Sequence, residues 1–198
     1  MAKKTKKKAS KGKKAAPKMK AARKLAKKRT ARPAPMPSAK QQYLDIFAKE
    51  HVTTLKVMRA FPADQGAFQP HPRSSSAKKL MWTCAVEQDL VVSAVSGTLK
   101  MPPSFAPEPA TVGEAIAAFE SRVKTVMKAV AKAPDSAIFS KVPFFVGPGK
   151  MGEVPVIDIM WLMLMDQIHH RGQLSVYIRM AGGLVPSIYG PSADEPWM

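Results

Sequence analysis

Proline and glycine punctuate this chain so that four long stretches are left without an interior proline, about residues 39–60, 75–96, 111–132 and 155–180. Each carries apolar side chains at three- and four-residue spacing, which places them on one side of an α-helix. Phe61-Pro62, Gly97, Pro134 and Ala181-Gly182-Gly183 close the four in turn. The starts are marked too. Ser38 can cap the first helix, a serine run precedes the second, and Thr111 with Glu114 has the capping-box spacing that opens the third. Four helices with one apolar stripe each can bury those stripes only against one another, so the predicted fold is all-α, a four-helix bundle. No alternating strand pattern, dinucleotide-binding glycine fingerprint, P-loop or internal repeat is present. Residues 98–110, with four prolines, read as a long crossover loop. Residues 136–156 read as irregular, with Ile138-Phe139 and Phe144-Phe145-Val146 as short extended pieces around Gly147-Pro148-Gly149. The tail Val185–Met198 reads as ordered coil.

Charge divides the chain in two. Residues 1–40 hold 17 of the 32 Lys and Arg and no acid, and the remaining 158 residues hold 15 basic and 14 acidic side chains, a net of +1. Most of the overall +18 therefore belongs to an arm, residues 1–38, joined to a near-neutral bundle domain, residues 39–198. The arm is Lys/Ala-rich and then Pro-rich, with almost no large apolar side chains to offset chain entropy, so it is expected to be disordered. Its composition suits non-specific nucleic-acid binding, in which each neutralised phosphate releases counterions without sequence readout. No apolar run follows the basic start, which argues against a signal peptide. The longest apolar stretch, Val154–Met165, is about 12 residues and contains Asp158, too short to cross a bilayer. The single cysteine, Cys84, excludes an internal disulfide and reads as a small core residue. A cytoplasmic protein without membrane contact is expected.

Function is sought where polar residues interrupt the apolar stripes, because burying them costs free energy unless they are paired or bind a metal. The third stripe, Val112, Ile116, Phe119, Val123, Val126 and Val130, is clean. The first carries His51, the second carries Thr83 and Glu87, and the fourth carries Asp166 and His170, four residues apart, with Gln167 on its flank. Across the facing helices of a bundle these offer nitrogen and oxygen ligands for a divalent metal. The candidate ligands are His51, Glu87, Asp166 and His170. His169 points about 100° away from His170 along the helix and is not expected to share a metal with it. His71, between Pro70 and Pro72, reads as a loop residue. The structural alternative is a set of separate pairs, Glu87 with Arg171 or Arg179, and Asp166 with His170.

His169-His170-Arg171-Gly172-Gln173-Leu174, followed by Tyr177 and Ala181-Gly182-Gly183, resembles the last helix of the DinB-like (damage-inducible, YfiT-related) superfamily. Phe61-Pro62, Phe68-Gln69-Pro70-His71-Pro72, Leu80-Met81-Trp82 and the tail from Val185 to Glu195 agree, so the resemblance covers about residues 40–198. It implies a four-helix bundle, often a homodimer, with a divalent metal such as zinc or nickel held by one histidine of the second helix and two of the fourth. It also implies a hydrolase or thiol-dependent transferase of unassigned substrate. The chain departs from that pattern: Thr83 stands at the second-helix histidine, and the partner of His170 falls at Asp166 or Gln167. The rival reading is a non-enzymatic nucleoid-associated or stress-related protein that binds DNA through its arm.

Two outcomes follow from the arm. Retention of DNA of unrelated sequences should fall by orders of magnitude between about 50 and 200 mM salt if six or more phosphates are contacted, and should be lost when residues 1–38 are deleted. The same deletion should leave the thermal midpoint of the remaining domain nearly unchanged in a calorimetric scan.

Overall fold

A computed structural model describes residues 36–198. The arm expected over residues 1–38 therefore lies outside the described residues except for its last three positions. Four long helices form where the punctuation leaves room: α1 Ala39–Ala60, α2 Ala77–Val95, α3 Val112–Lys132 and α5 Val156–Met180, with a single turn, α4 Asp135–Ile138, after α3. Side-chain oxygens satisfy the open amides at three starts. Ser38 Oγ accepts from the Gln41 amide at 3.2 Å and Ser76 Oγ from the Lys79 amide at 3.2 Å. Thr111 and Glu114 close a reciprocal capping box at 3.1 and 3.0 Å.

Two ends are closed by glycine in the left-handed conformation. Gly97 (φ +69°) and Gly182 (φ +77°) follow α2 and α5, and the amides of Thr98 and Gly183 reach back to the carbonyls of Ser93 and Ile178, both at 2.8 Å. Gly183 is fixed by space as well: a Cβ there would sit 2.9 Å from Ile178 Cγ2 and 3.2 Å from the Ala60 carbonyl, where the ends of α5 and α1 meet.

Each long helix packs chiefly on two others, giving the ring order α1–α3–α2–α5. The shared interior holds Phe47, Met58, Met81, Phe119, Ile159, Leu164 and Ile178, all fully buried. Burial of each such side chain contributes about 1.5–3 kcal/mol. Tyr43 stacks on Phe47 at 5.4 Å and makes a T-shaped pair with Trp161 at 5.2 Å. No helix among the described residues is long and apolar enough to cross a membrane.

The expectation of an all-α chain is corrected between α4 and α5. Residues Lys141–Gly147 (β1) and Lys150–Pro155 (β2) form a two-stranded antiparallel hairpin, running from Lys141 opposite Pro155 to Gly147 opposite Lys150, with an irregularity between Phe145 and Gly147. Gly149 (φ +65°) makes the turn. Of the two extended pieces read from the sequence, Phe144-Phe145-Val146 is the centre of β1, whereas Ile138 ends the helical turn α4 and Phe139 caps it. Only Phe144 of the hairpin is buried, so strict alternation is missing and the strand period is hard to read. The fold is mostly helical with a small sheet.

The C-terminal coil is tied down by polar contacts. Arg171 on α5, 1% exposed, donates to Glu50 Oε2 on α1 at 2.7 Å and to the Tyr189 hydroxyl, which itself donates to Glu50 Oε2 at 2.7 Å. The guanidinium lies 4.9 Å over the Tyr189 ring. Asp194 engages Arg179 and the Val185 amide, and Glu195 engages Lys56 and the Ser187 amide. Trp197, by contrast, is exposed. Removing one member of a buried ion pair leaves the other without compensation. Arg171→Met is therefore expected to lower unfolding free energy by about 3–5 kcal/mol in urea titration, while Arg179→Ala, whose group is exposed, should leave the midpoint almost unchanged.

Candidate metal centre

Three of the four ligand candidates meet. Glu87 on α2 and Asp166 and His170 on α5 each offer one ligand atom, and those atoms all lie within 4.8 Å of one another. His170 Nε2 stands 3.7 Å from Glu87 Oε1 and 3.7 Å from Asp166 Oδ2. Asp166 and His170 are four residues apart on one face of α5 and Glu87 comes from the facing wall of α2, so the group is built across a helix interface. His51 is outside it. Its Nδ1 meets the Phe47 carbonyl at 3.1 Å and its ring lies beside the Phe47 ring, so the interruption of the α1 stripe is satisfied locally.

The alternative pairing of Glu87 with an arginine is not what the fold makes. Arg171 goes to Glu50 and Arg179 to Asp194. Glu87 is left buried, and its Oε2 has no hydrogen-bond partner. Burial, and after it the adjacent Asp166 carboxylate, pushes the Glu87 carboxyl up from an ordinary 4.5 to about 10. Without a cation nearby, Glu87 is therefore a protonated acid at neutral pH.

The imidazole is oriented from behind. His170 Nδ1 meets Gln173 Oε1 at 3.0 Å, and an amide oxygen can only accept, so Nδ1 carries the hydrogen. In the neutral ring Nε2 then presents its lone pair toward the two carboxyl groups, the tautomer a metal ligand needs. The Gln173 amide nitrogen faces His169 Nε2 at 3.2 Å, so His169 supports the orientation of its neighbour without joining the group. Gln173 was not singled out from the sequence, although its i+3 spacing from His170 and i+4 spacing from His169 is the readable signal.

Of the two positions open for the partner of His170, the fold uses Asp166. Gln167 is fully buried on the next face of α5 and takes part in a different network. It accepts from Gln88 Nε2 at 3.2 Å and donates to Thr54 Oγ1 at 2.9 Å. Thr83, where the resemblance places a histidine, donates its hydroxyl to the Lys79 carbonyl at 2.9 Å. Cys84 is buried, and burial raises its thiol well above the usual range, as suits a core residue and not a nucleophile. His71 is exposed in its loop and accepts from the Arg73 amide at 3.1 Å.

Glu87 and Asp166 lie on the wall of an open cleft of about 760 Å³. Its sides come from α2 (Trp82, Val86), the crossover loop (Phe105, Pro107), the hairpin (Phe144, Phe145) and α5 (Leu162, Met163). Trp82 holds the loop in place through Nε1 to the Ala106 carbonyl at 3.3 Å and is covered by the Arg122 guanidinium at 4.9 Å. The volume is that of a small-molecule site, with apolar walls and a few polar groups.

Comparison with known proteins agrees with this architecture. The family described as the DinB family matches residues 36–197. A DinB-like protein from Bacillus cereus ATCC 10987, of known crystal structure, is 18% identical with a TM-score of 0.62, covering 74% of this chain and 95% of its own. The DinB-like protein YjoA from Bacillus subtilis is 15% identical with a TM-score of 0.58, covering 79% of this chain and 99% of its own. At such identities these two show the fold alone. The uncharacterized protein YrdA of Bacillus subtilis (strain 168) is 42% identical over 43 residues, 22% of this chain and 26% of YrdA, so the match spans about a quarter of that relative. With a family match running through α1, α2, α3, α5 and the C-terminal coil, the chain belongs to the DinB family.

Proposed function

We propose that Glu87, Asp166 and His170 hold one divalent transition metal, zinc, nickel or one of similar preference, and that the protein is a metal-dependent hydrolase- or transferase-like member of its family. The observation that carries this is the convergence of one imidazole nitrogen and two carboxyl oxygens beside the cleft, with the buried Glu87 Oε2 unpaired. Such a donor set suits these metals, and three protein ligands leave a position open. A metal held this way supplies Lewis acidity and lowers the pKa of a water or thiol bound at that position. The residues contribute the rest. His170 is held in its ligating tautomer by Gln173, apolar side chains line the cleft beside the group, and Glu87, a protonated acid without the metal, gives up its proton as the ion binds.

The arm supports a second reading, a non-enzymatic nucleoid-associated or stress-related binding protein. Its 17 basic residues among the first 40, without an acid, favour it. Elemental analysis of protein purified without chelator separates the two. About one equivalent of metal is expected in the wild type and none in His170→Ala. If neither carries metal and the substitution only lowers stability, the group is a buried hydrogen-bond cluster and the binding-module reading replaces the enzymatic one.

Glu87 also gives a pH dependence. In chelator-treated protein the folded carboxyl keeps its proton up to about pH 10, while the unfolded chain releases it near 4.5. Between those values the folded state binds more protons, so stability is fully present below about pH 4.5 and is lost as pH rises, with a slope approaching ~1.4 kcal/mol per pH unit. Urea titrations at pH 5.5 and 8.5 should show that decline in the wild type and a much smaller one in Glu87→Gln. Because a metal must displace the same proton, zinc affinity is expected to rise over this range.

A further inference from the structure

The cleft has a polar feature that the acid–imidazole group leaves unused. Lys79, Thr83 and Glu87 follow one another at four-residue spacing along α2, and all three line the cavity. The helical rise from Lys79 to Glu87 is about 12 Å, so one wall runs from a cation to a carboxyl group. Lys79 has no salt-bridge partner among the described residues. Its neighbour Lys78 takes up Glu108, another charged residue of the wall, at 3.5 Å. Facing this strip are large apolar side chains that the fold leaves open to solvent. Phe105, Phe145 and Leu162 are 45%, 47% and 42% exposed, come from three different segments, and line the same cavity. Apolar surface converging in this way gains free energy when an apolar body displaces water from it.

We propose that the cleft binds a small amphipathic anion. Its carboxylate, or a group of like charge, sits at Lys79, and its apolar chain or aromatic body lies along Phe105, Phe145 and Leu162 toward Glu87. Charge sets the direction: Lys79 attracts an anionic head, whereas Asp166 at the other end repels it. The uncharged end of the ligand then arrives beside Glu87, Asp166 and His170. Binding uses the cleft walls and needs no metal; Lys79 sets the direction in either case, and Asp166 adds its repulsion where no ion compensates its charge.

The test uses the full chain at 150 mM salt, with and without chelator. A neutral fluorescent probe, N-phenyl-1-naphthylamine, reports occupancy of the apolar cleft and is indifferent to the basic arm. It is displaced by decanoate or decyltrimethylammonium, each below its micellar concentration, or by decanol below its solubility limit. Decanoate should compete best, decanol about tenfold less well and the cation worst. Lys79→Met should weaken decanoate about tenfold and leave decanol unchanged. Val86→Trp, which fills the cleft, should weaken all three tenfold or more. Leu162→Trp, at a half-exposed position, serves where Val86→Trp fails to fold. The proposal is overturned if the probe does not bind, if the cation competes best, or if Lys79→Met leaves decanoate unchanged. Retention of this ranking in chelator, together with no metal in protein purified without chelator, would sink the metal assignment and keep the anion site.

Discussion

A continuous line of hydrogen bonds crosses the otherwise apolar interior, and the orientation of α5 depends on it. It runs from the Cys84 carbonyl through Gln88 of α2 to Gln167 of α5, on to Thr54 of α1, and through Arg171 and Glu50 to Tyr189 in the C-terminal coil. Each step within the core is a buried polar group held by the next, with Thr54 and Arg171 also donating to the Glu50 carbonyl, and a group left unpaired there costs about 1–3 kcal/mol. Rotating α5 by one residue would withdraw Gln167 and Arg171 together, because they stand four apart on one face. The line therefore selects one rotation of a helix whose apolar residues would tolerate several.

That rotation also assembles the candidate metal centre. Asp166 and His170 precede Gln167 and Arg171 by one residue each, so they form the adjacent face of α5, about 100° around the axis. On α2 the same offset separates Glu87 from Gln88. Gln88 meets Gln167, and Glu87 in consequence meets Asp166 and His170. The amide pair and the ligand group are two readouts of a single helix register. A centre of two carboxylates and a neutral imidazole would bring a divalent ion to zero net charge. That balance reduces the cost of holding the ion beside apolar walls, where a charged centre is penalised.

How far this was legible in the sequence follows from the same geometry. The helices and their ends were readable because serine, threonine, proline and glycine act locally, and the observed α1, α2, α3 and α5 begin and end within a residue or two of the expected positions. Glu87, Asp166 and His170 stood out because carboxylates and imidazoles are conspicuous among Met, Leu and Ile. The direction of the α5 stripe was not readable. Apolar residues surround that helix on nearly every side, so periodicity does not fix its inward face, and the fully buried line proved to be Gln167 and Arg171 and not Asp166 and His170. His51 shows the converse error. An inward-leaning imidazole in a stripe looks like a ligand, yet one carbonyl of its own helix satisfies it.

The cleft lay beyond reach of the sequence for a different reason. Two of its walls are the crossover loop and the hairpin, the segments with the weakest periodicity, and sequence patterns report how a segment pairs with its own neighbours, not which distant helix it covers. Loops carry function because a rigid scaffold positions them while leaving their side chains free to vary. Here that scaffold acts through α2, which gives one face to the core and another to the cavity: Trp82 anchors the loop by its indole nitrogen, and Val86 and Glu87 form the surface beneath. Thr83 stands between them, and a hydroxyl there leaves more room than an imaginary imidazole would. A histidine at that position, the residue the resemblance leads one to expect, would take up part of that space, and Glu87, one turn further along α2, is that helix's contribution to the acid–imidazole group.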